Sequence, residues 1–188
     1  MDSLPPDAGS ILLPLARLSI AHALGRQPAP AAATATWLGA LGASYVTITH
    51  AARLRGRTGT LEPQRPLGVD VAANAVHAAL RDPCFSPMTL ADLDGAVIEV
   101  AVLSDFESIT GSDENTVLSR LRVGIDGVIF RYGRHRSTFL PEVWAQYADP
   151  GEFLAWLKYK AGLPPDFWDA DVSLQRYTVA RWTESSAQ

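Results

Sequence analysis

The sequence predicts an α/β (α+β) fold in which helices and strands are interleaved along the chain. Residues 11–26 and 68–81 carry apolar side chains at helical spacing. Tyr45–Thr49 and Arg53–Thr60 are two strand-like runs with a short connection, which reads as a hairpin. Ala96–Leu103 is apolar on both faces except for Glu99, the pattern of a central strand.

At 188 residues the chain suits one domain or two intimately packed lobes. It is 47% hydrophobic and 19% charged, ordinary for a soluble globular protein. A net charge of −4 argues against general affinity for nucleic acid. Cys84 is the single cysteine, which excludes an internal disulfide framework and a Cys-rich metal site and makes a reducing cytoplasm the natural setting. The apolar segment Ile11–Leu24 is no signal peptide, because Asp2 and Asp7 precede it where a basic region would stand. It is also too short to span a bilayer.

Residues 1–10 read as a loose tail. The first helix is expected from Ile11 to about Arg26, with Ile11, Leu15, Leu18 and His22 on its inner stripe, Ser10 as N-cap and Pro14 in its first turn. Pro28-Ala29-Pro30 stops it, and an Ala-rich linker over 29–36 leads to Trp37 and a strand at about 43–50. After the second hairpin strand, Pro63–Pro66 turn into a helix with Val69, Ala72, Ala73, Val76, Ala79 and Leu80 on one stripe and Asn74, His77 and Arg81 on the opposite one. Asp82-Pro83 ends it. Thr89 and Asp92 have the spacing of a capping box for a short helix ending near Gly95.

Glu114–Leu121 is expected to form a helical turn or two, and Asp126-Gly127 a tight hairpin turn. Strand 128–132, a basic tip at Gly133-Arg134-His135-Arg136 and strand 137–140 follow. Pro141 opens a helix to Tyr147, and Pro150–Lys160 is a helix closed by Gly162 at C′. Residues 173–182 form a last strand. Trp144, Trp156, Trp168 and Trp182 read as core residues.

Chemistry concentrates in Arg53-Leu54-Arg55-Gly56-Arg57-Thr58-Gly59-Thr60. An unbroken strand puts Arg53, Arg55 and Arg57 on one face, roughly 7 Å apart. Such a row needs water, carboxylates or an anionic ligand opposite it. Gly56 and Gly59 mark a bulge, or a close approach of another backbone or a ligand. Arg55 and Arg57, with backbone N–H groups near the two glycines, can hold a carboxylate or phosphate; alternatively they pair with Glu62 and Glu99 and only stabilise the sheet. Glu99 on the central strand is such an arginine partner or a catalytic carboxylate with a perturbed pKa. Asn74 and His77 share a helix stripe that can line the same groove, with His77 suited to acid–base work. Asp82 bonds backbone N–H groups of its own turn or reaches the site. Cys84 is a small buried hydrophobe or a reactive thiol.

Four ordered motifs resemble the AMMECR domain family, also called AmmeMemoRadiSam system protein A. They are Leu54-Arg55-Gly56-Arg57-Thr58-Gly59, then Asp82 to Thr89, then Gly124-Ile125-Asp126-Gly127, then Leu140-Pro141-Glu142-Val143, with Lys160-Ala161-Gly162 closing the helical segment. The resemblance covers about residues 11–183 and leaves 184–188 as a tail. It implies a largely antiparallel sheet with flanking helices, a smaller second lobe and a groove near the Leu-Arg-Gly strand. It also implies a pathway shared with a Memo-like protein and a radical SAM enzyme. Two departures stand out: Arg57 occupies the family's usual cysteine position, and Cys84 its usual arginine. A guanidinium cannot replace a thiolate as nucleophile or soft metal ligand. If positions 57 and 84 are adjacent in space, one local environment survives the exchange.

No cofactor or metal is expected, since His22, His50, His77 and His135 lie far apart in sequence, with no pair at i, i+4. Walker, Gly-x-Ser-x-Gly and Gly-x-Gly-x-x-Gly motifs are absent. The leading expectation is a cytoplasmic component that binds a small anionic ligand. Its alternatives are an RNA- or DNA-interacting module built on Arg131, Tyr132, Arg134, His135 and Arg136, and a non-catalytic scaffold for pathway partners.

Overall fold

The computed structural model describes residues 4–28, 35–111 and 113–185. In chain order its elements are α1 (Gly9–Ala23), a 3-10 helix (Thr36–Gly39), β1 (Leu41–Gly42), β2 (Ser44–His50), β3 (Arg53–Gly59), β4 (Arg65–Pro66), α2 (Leu67–Leu80), α3 (Leu90–Asp94) and β5 (Ala96–Leu103). There follow β6 (Glu107–Ile109), α4 (Glu114–Leu118), β7 (Gly127–Tyr132), β8 (His135–Phe139), a 3-10 helix (Pro141–Ala145), α5 (Pro150–Lys160), β9 (Ser173–Tyr177) and β10 (Val179–Thr183). All described pairings are antiparallel where their register is defined. Among the described residues no helix is long and apolar enough to cross a membrane.

The chain divides into two units, Met1–Leu103 with Ala180–Gln188, and Ser104–Val179. The first holds a sheet of order β10-β5-β2-β3 and the short β1-β4 pair. As the apolar run required, β5 is a central strand. Val46, Ile48, Ile98 and Val100 face Leu12, Ala16 and Ile20 of α1 and Val71, Ala75 and Ala78 of α2 in one core. Thr89 and Asp92 form the expected capping box at α3, each side chain bonding the other's backbone N–H.

Helix α1 starts earlier than its apolar spacing suggested. Ala8, not Ser10, is at the N-cap, on a turn closed by Ala8 N–H to the Pro5 carbonyl at 3.0 Å, and Pro14 lies inside the helix. The reason is tertiary: a Cβ on Gly9 would stand 2.4 Å from the Trp182 ring, so glycine lets the first turn press against β10. The buried stripe is Leu12, Ala16 and Ile20, with Ile11, Leu15 and Leu18 half-buried. Residues 29–34 of the expected Ala-rich linker lie outside the described residues.

In α2 the buried side is Leu67, Val71, Ala75, Ala78 and Ala79, together with Asp70 and Asn74. Val69 is 56% exposed, contrary to the expected stripe. Both sides of this helix are rich in Ala and Val, so hydrophobicity does not choose between them. The polar anchor of Asp70 and Asn74 on β2 does, as described below.

The second unit has a sheet of order β6-β9-β7-β8. Val128, Phe130 and Leu174 pack with Trp144, Phe153, Leu154 and Leu157. The rings of Trp144 and Phe153 stack at 3.8 Å and 6°. Gly162, at φ +81°, ends α5: its N–H bonds the Tyr159 carbonyl at 2.9 Å and Leu163 N–H bonds Lys158 at 3.1 Å, a Schellman close. Asp126-Gly127 is not a hairpin turn. The turn glycine is Gly124, at φ +77°, while the buried Asp126 carboxylate accepts from the Arg122 backbone N–H at 2.9 Å and from its guanidinium at 2.6 Å. The β7–β8 turn is confined to Gly133-Arg134, so His135 and Arg136 belong to the strand, with His135 Nδ1 2.9 Å from the Ala161 carbonyl oxygen. Residues 173–182 are not one strand. Thr178 separates β9 and β10, which join different sheets.

Candidate functional site

The arginine strand is an edge strand, and its alternation is broken. Ile48 pairs with Gly56 but Thr49 pairs with Leu54, leaving Arg55 as an extra residue. This bulge reverses the faces of the residues before it. Arg57, opposite Thr47, shares a face with Leu54, whereas Arg53, opposite His50, shares the other face with Gly56. The expected row of Arg53, Arg55 and Arg57 on one face therefore does not exist.

Each of the three has its own surroundings. Arg55 crosses to the loop after α2, donating to the Ser86 carbonyl at 2.7 Å, with Asp92 at 3.8 Å. The Arg57 guanidinium lies 5.6 Å over the Tyr45 ring. Arg53 is exposed near the hairpin turn.

Both glycines answer to packing within the chain. A Cβ on Gly56 would stand 2.0 Å from the Ala78 carbonyl oxygen of α2, and one on Gly59 2.1 Å from the Tyr45 ring. The close approach that glycine announced is thus made by α2 and by an aromatic neighbour.

Asp82 ties the strand to the following loop. Its Oδ2 accepts from Arg57 N–H at 2.7 Å and its Oδ1 from Cys84 N–H at 2.9 Å. The two N–H groups, Arg57's first, hold its pKa below the ordinary carboxylate value. Positions 57 and 84 thus meet at one carboxylate, so the two departures from the family motif are neighbours in space. Cys84 is exposed rather than a buried hydrophobe, because its loop runs along the outer edge of β3.

Asn74 and His77 do not share a groove. His77 is exposed, its Nε2 3.4 Å from Arg81 Nη1, whereas Asn74 is buried. Asn74 belongs to a polar cluster that the sequence reading missed. The Asp70 carboxylate accepts from Ser44 N–H at 2.9 Å, Ser44 Oγ at 2.6 Å, Thr60 Oγ1 at 2.8 Å, Arg65 Nε at 2.8 Å and Asn74 Nδ2 at 3.0 Å. Five donors satisfy a buried carboxylate and clamp α2 to the start of β2. The sequence signal for it was Asp70 and Asn74 at i, i+4, one turn apart in a helix whose other residues, His77 aside, are apolar or small.

Glu99 has an arginine partner, as one reading expected, but the partner is Arg181 at 3.5 Å, with Thr183 Oγ1 donating at 3.3 Å. Thr47 pairs with Arg57 on one side and Glu99 on the other. Arg57 and Glu99 are therefore two strands apart, about 10 Å. The outer sheet face carries Tyr45, Arg57, Thr47, Glu99 and Arg181 as one polar stretch.

The AMMECR1 family model matches residues 13–182. The chain belongs to the AMMECR1 family. This AMMECR1 chain is 33% identical to a protein of Pyrococcus abyssi, over 98% of its own length and 94% of that relative's. It is 41% identical to a protein of Methanocaldococcus jannaschii, over 70% of this chain and 66% of that one. A Thermococcus onnurineus protein is likewise 41% identical, with 64% of its length matched. The match therefore spans slightly less than two thirds of the last two relatives. In three dimensions this AMMECR1 chain is similar to the crystal structure of an uncharacterised protein from Pyrococcus horikoshii, with TM-score 0.81, 32% identity and coverage of 97% of this chain and 94% of that one. The likeness extends the mixed, antiparallel architecture of the AMMECR1 fold to both units.

Proposed function

We propose that this AMMECR1-family protein binds a small anionic ligand on the outer face of the β10-β5-β2-β3 sheet, with Arg57 as its charge and Tyr45 as its wall. The observation that carries this reading is the exposed Arg57 guanidinium over the Tyr45 ring, with its own backbone pinned by Asp82. A guanidinium laid on an aromatic face keeps its fork of donors in one plane and meets a carboxylate or phosphate with two parallel bonds. The Thr47 hydroxyl beside it on β2 adds a neutral donor. Arg55, held by backbone carbonyls, positions the loop and is not a ligand contact in this reading.

The protein then acts as the binding component of a pathway it shares with a Memo-like protein and a radical SAM enzyme, in a cytoplasmic setting. Isothermal titration with inorganic phosphate, pyrophosphate and small dicarboxylates tests the first part. Arg57→Ala is expected to weaken a bound anion at least about tenfold, the worth of a charge-assisted pair. Arg53→Ala, on the opposite face, is expected to leave it unchanged. Equal affinity in wild type and Arg57→Ala counts against the reading. Co-purification with the Memo-like or radical SAM protein tests the second part.

A scaffold role without a small ligand is the second reading. It is favoured by the internal packing that accounts for Gly56 and Gly59 and by the bonds of Asp82. Partner capture that survives Arg57→Ala, with no anion bound by wild type, distinguishes it.

A further inference from the structure

Helix α5 buries Phe153, Leu154, Leu157 and Lys158 and leaves two large aromatic residues outside. Trp156 is 42% exposed and Tyr159 61% exposed. Spacing alone had placed Trp156 in the core; the helix turns it outward. It is not isolated there. Phe139 and Tyr147 stack at 6.3 Å, Tyr147 and Trp156 stack at 5.5 Å, and Trp156 meets Tyr159 edge-on at 5.5 Å and 87°. The result is an aromatic ladder whose outer rungs face water, and contiguous apolar surface of this kind marks an interaction site. The indole N–H of Trp156 and the hydroxyl of Tyr159 make no hydrogen bond among the described residues.

Charge around the ladder narrows the partner. Glu152 lies one turn before Trp156 on the same side of α5 and is exposed, and Asp149 caps the helix. The nearby cation, Lys160, donates to the Thr138 carbonyl at 2.9 Å and lies 4.9 Å over Phe139. Lys158 is buried and paired with Glu114 at 2.8 Å. An acidic rim repels a phosphate backbone and favours a basic one.

We propose that this ladder docks an extended proline-rich segment of a partner protein that carries lysine or arginine beside its prolines. A polyproline II segment has three residues per turn, is ordered before it binds, and leaves its carbonyls unpaired. Perpendicular aromatic rings form the slots that its prolines fill. The Trp156 N–H and Tyr159 O–H donate to its carbonyls, and Glu152 meets its basic flank.

Fluorescence anisotropy of the full chain with a labelled oligoproline peptide ending in arginines tests the site. Saturable binding is expected, weakened at least about tenfold by Trp156→Ala, as for a central aromatic anchor. Tyr159→Phe is expected to lose less, and Glu152→Gln is expected to weaken the arginine-flanked peptide but not uncharged oligoproline. Arg57→Ala is expected to leave peptide binding intact, which separates this site from the anion site. Thermal unfolding of each variant checks folding, and the exposure of Tyr159 makes Tyr159→Ala a second test that preserves the core. The inference is overturned by absence of saturable binding, by equal affinity in Trp156→Ala and Tyr159→Ala, by preference for single-stranded oligonucleotide, or by a dimer that Trp156→Ala dissolves.

Discussion

Asp82 bridges Arg57 and Cys84, one carboxylate oxygen on each backbone N–H, at 2.7 and 2.9 Å. This contact fastens the loop after α2 to the free edge of β3 and presents the Arg57 side chain from a fixed backbone.

Because the Asp82 pKa is lowered in the folded protein, its contribution has a definite sign with pH. The stabilisation is present above the unfolded carboxylate value, about pH 4. It is lost as pH falls through the lower, folded value. Asp82→Asn is expected to flatten that part of the acid limb, and Asp82→Ala to raise hydrogen exchange at the Arg57 and Cys84 amides. Urea unfolding followed from about pH 7 to pH 3 measures the first effect; an acid limb identical to wild type would refute it.

Gly56 is the least replaceable residue of the arginine strand. Its added Cβ would stand 2.0 Å from the Ala78 carbonyl, a backbone atom that cannot rotate away. Gly56→Ala is expected to destabilise by about 3 kcal/mol, through strand and helix moving apart. Chemical denaturation gives the value, and a loss under about 1 kcal/mol would mean that α2 yields easily.

The β2–β3 turn is built from Ala51 and Ala52, at φ 49° and 61°. Both sit in the left-handed region, which suits a type I′ turn but strains alanine. Replacing the pair by Asn-Gly is expected to stabilise the protein by about 1 kcal/mol, since part of the relief is offset by glycine's entropy in the unfolded chain. A rise in denaturation midpoint without change in slope is the expected readout.

Arg17 joins α1 to the C-terminal end of the first unit. Its Nε and Nη2 donate to the two Glu184 oxygens at 2.7 and 2.6 Å, and Nη1 and Nη2 also reach the Leu93 and Ala96 carbonyls at 2.9 and 2.7 Å. Glu184 in turn accepts from Ile98 N–H at 2.8 Å. Arg17→Ala is expected to cost about 2–3 kcal/mol, because it leaves several partly buried acceptors unpaired. Arg17→Lys is expected to recover only part, since an ammonium cannot bond two carboxylate oxygens in parallel. Thermal denaturation ranks the three proteins.

Some features were legible because their causes lie within a few residues. Thr89 and Asp92 make a cap by spacing alone, Gly162 closes α5 because only its φ allows the close, and Ala96–Leu103 is central because both of its faces are apolar. The ordered motifs identified the family for the same reason, being written in the chain itself. Asp82 was legible as a turn acceptor but not as the clamp on Arg57, twenty-five residues away in sequence.

What the amino-acid order determined by itself was most of the longer helices and strands, the family and the concentration of positive charge at residues 53–57. What tertiary structure decided was which side each residue faces. A one-residue bulge at Arg55 sends Arg53 and Arg57 to opposite faces, a polar anchor at Asp70 buries Asn74 and leaves His77 outside, and the docking of α5 turns Trp156 to the surface. Periodicity records that a helix or strand has two sides. Which side is buried depends on the neighbour that packs against it, and that neighbour is distant in the chain.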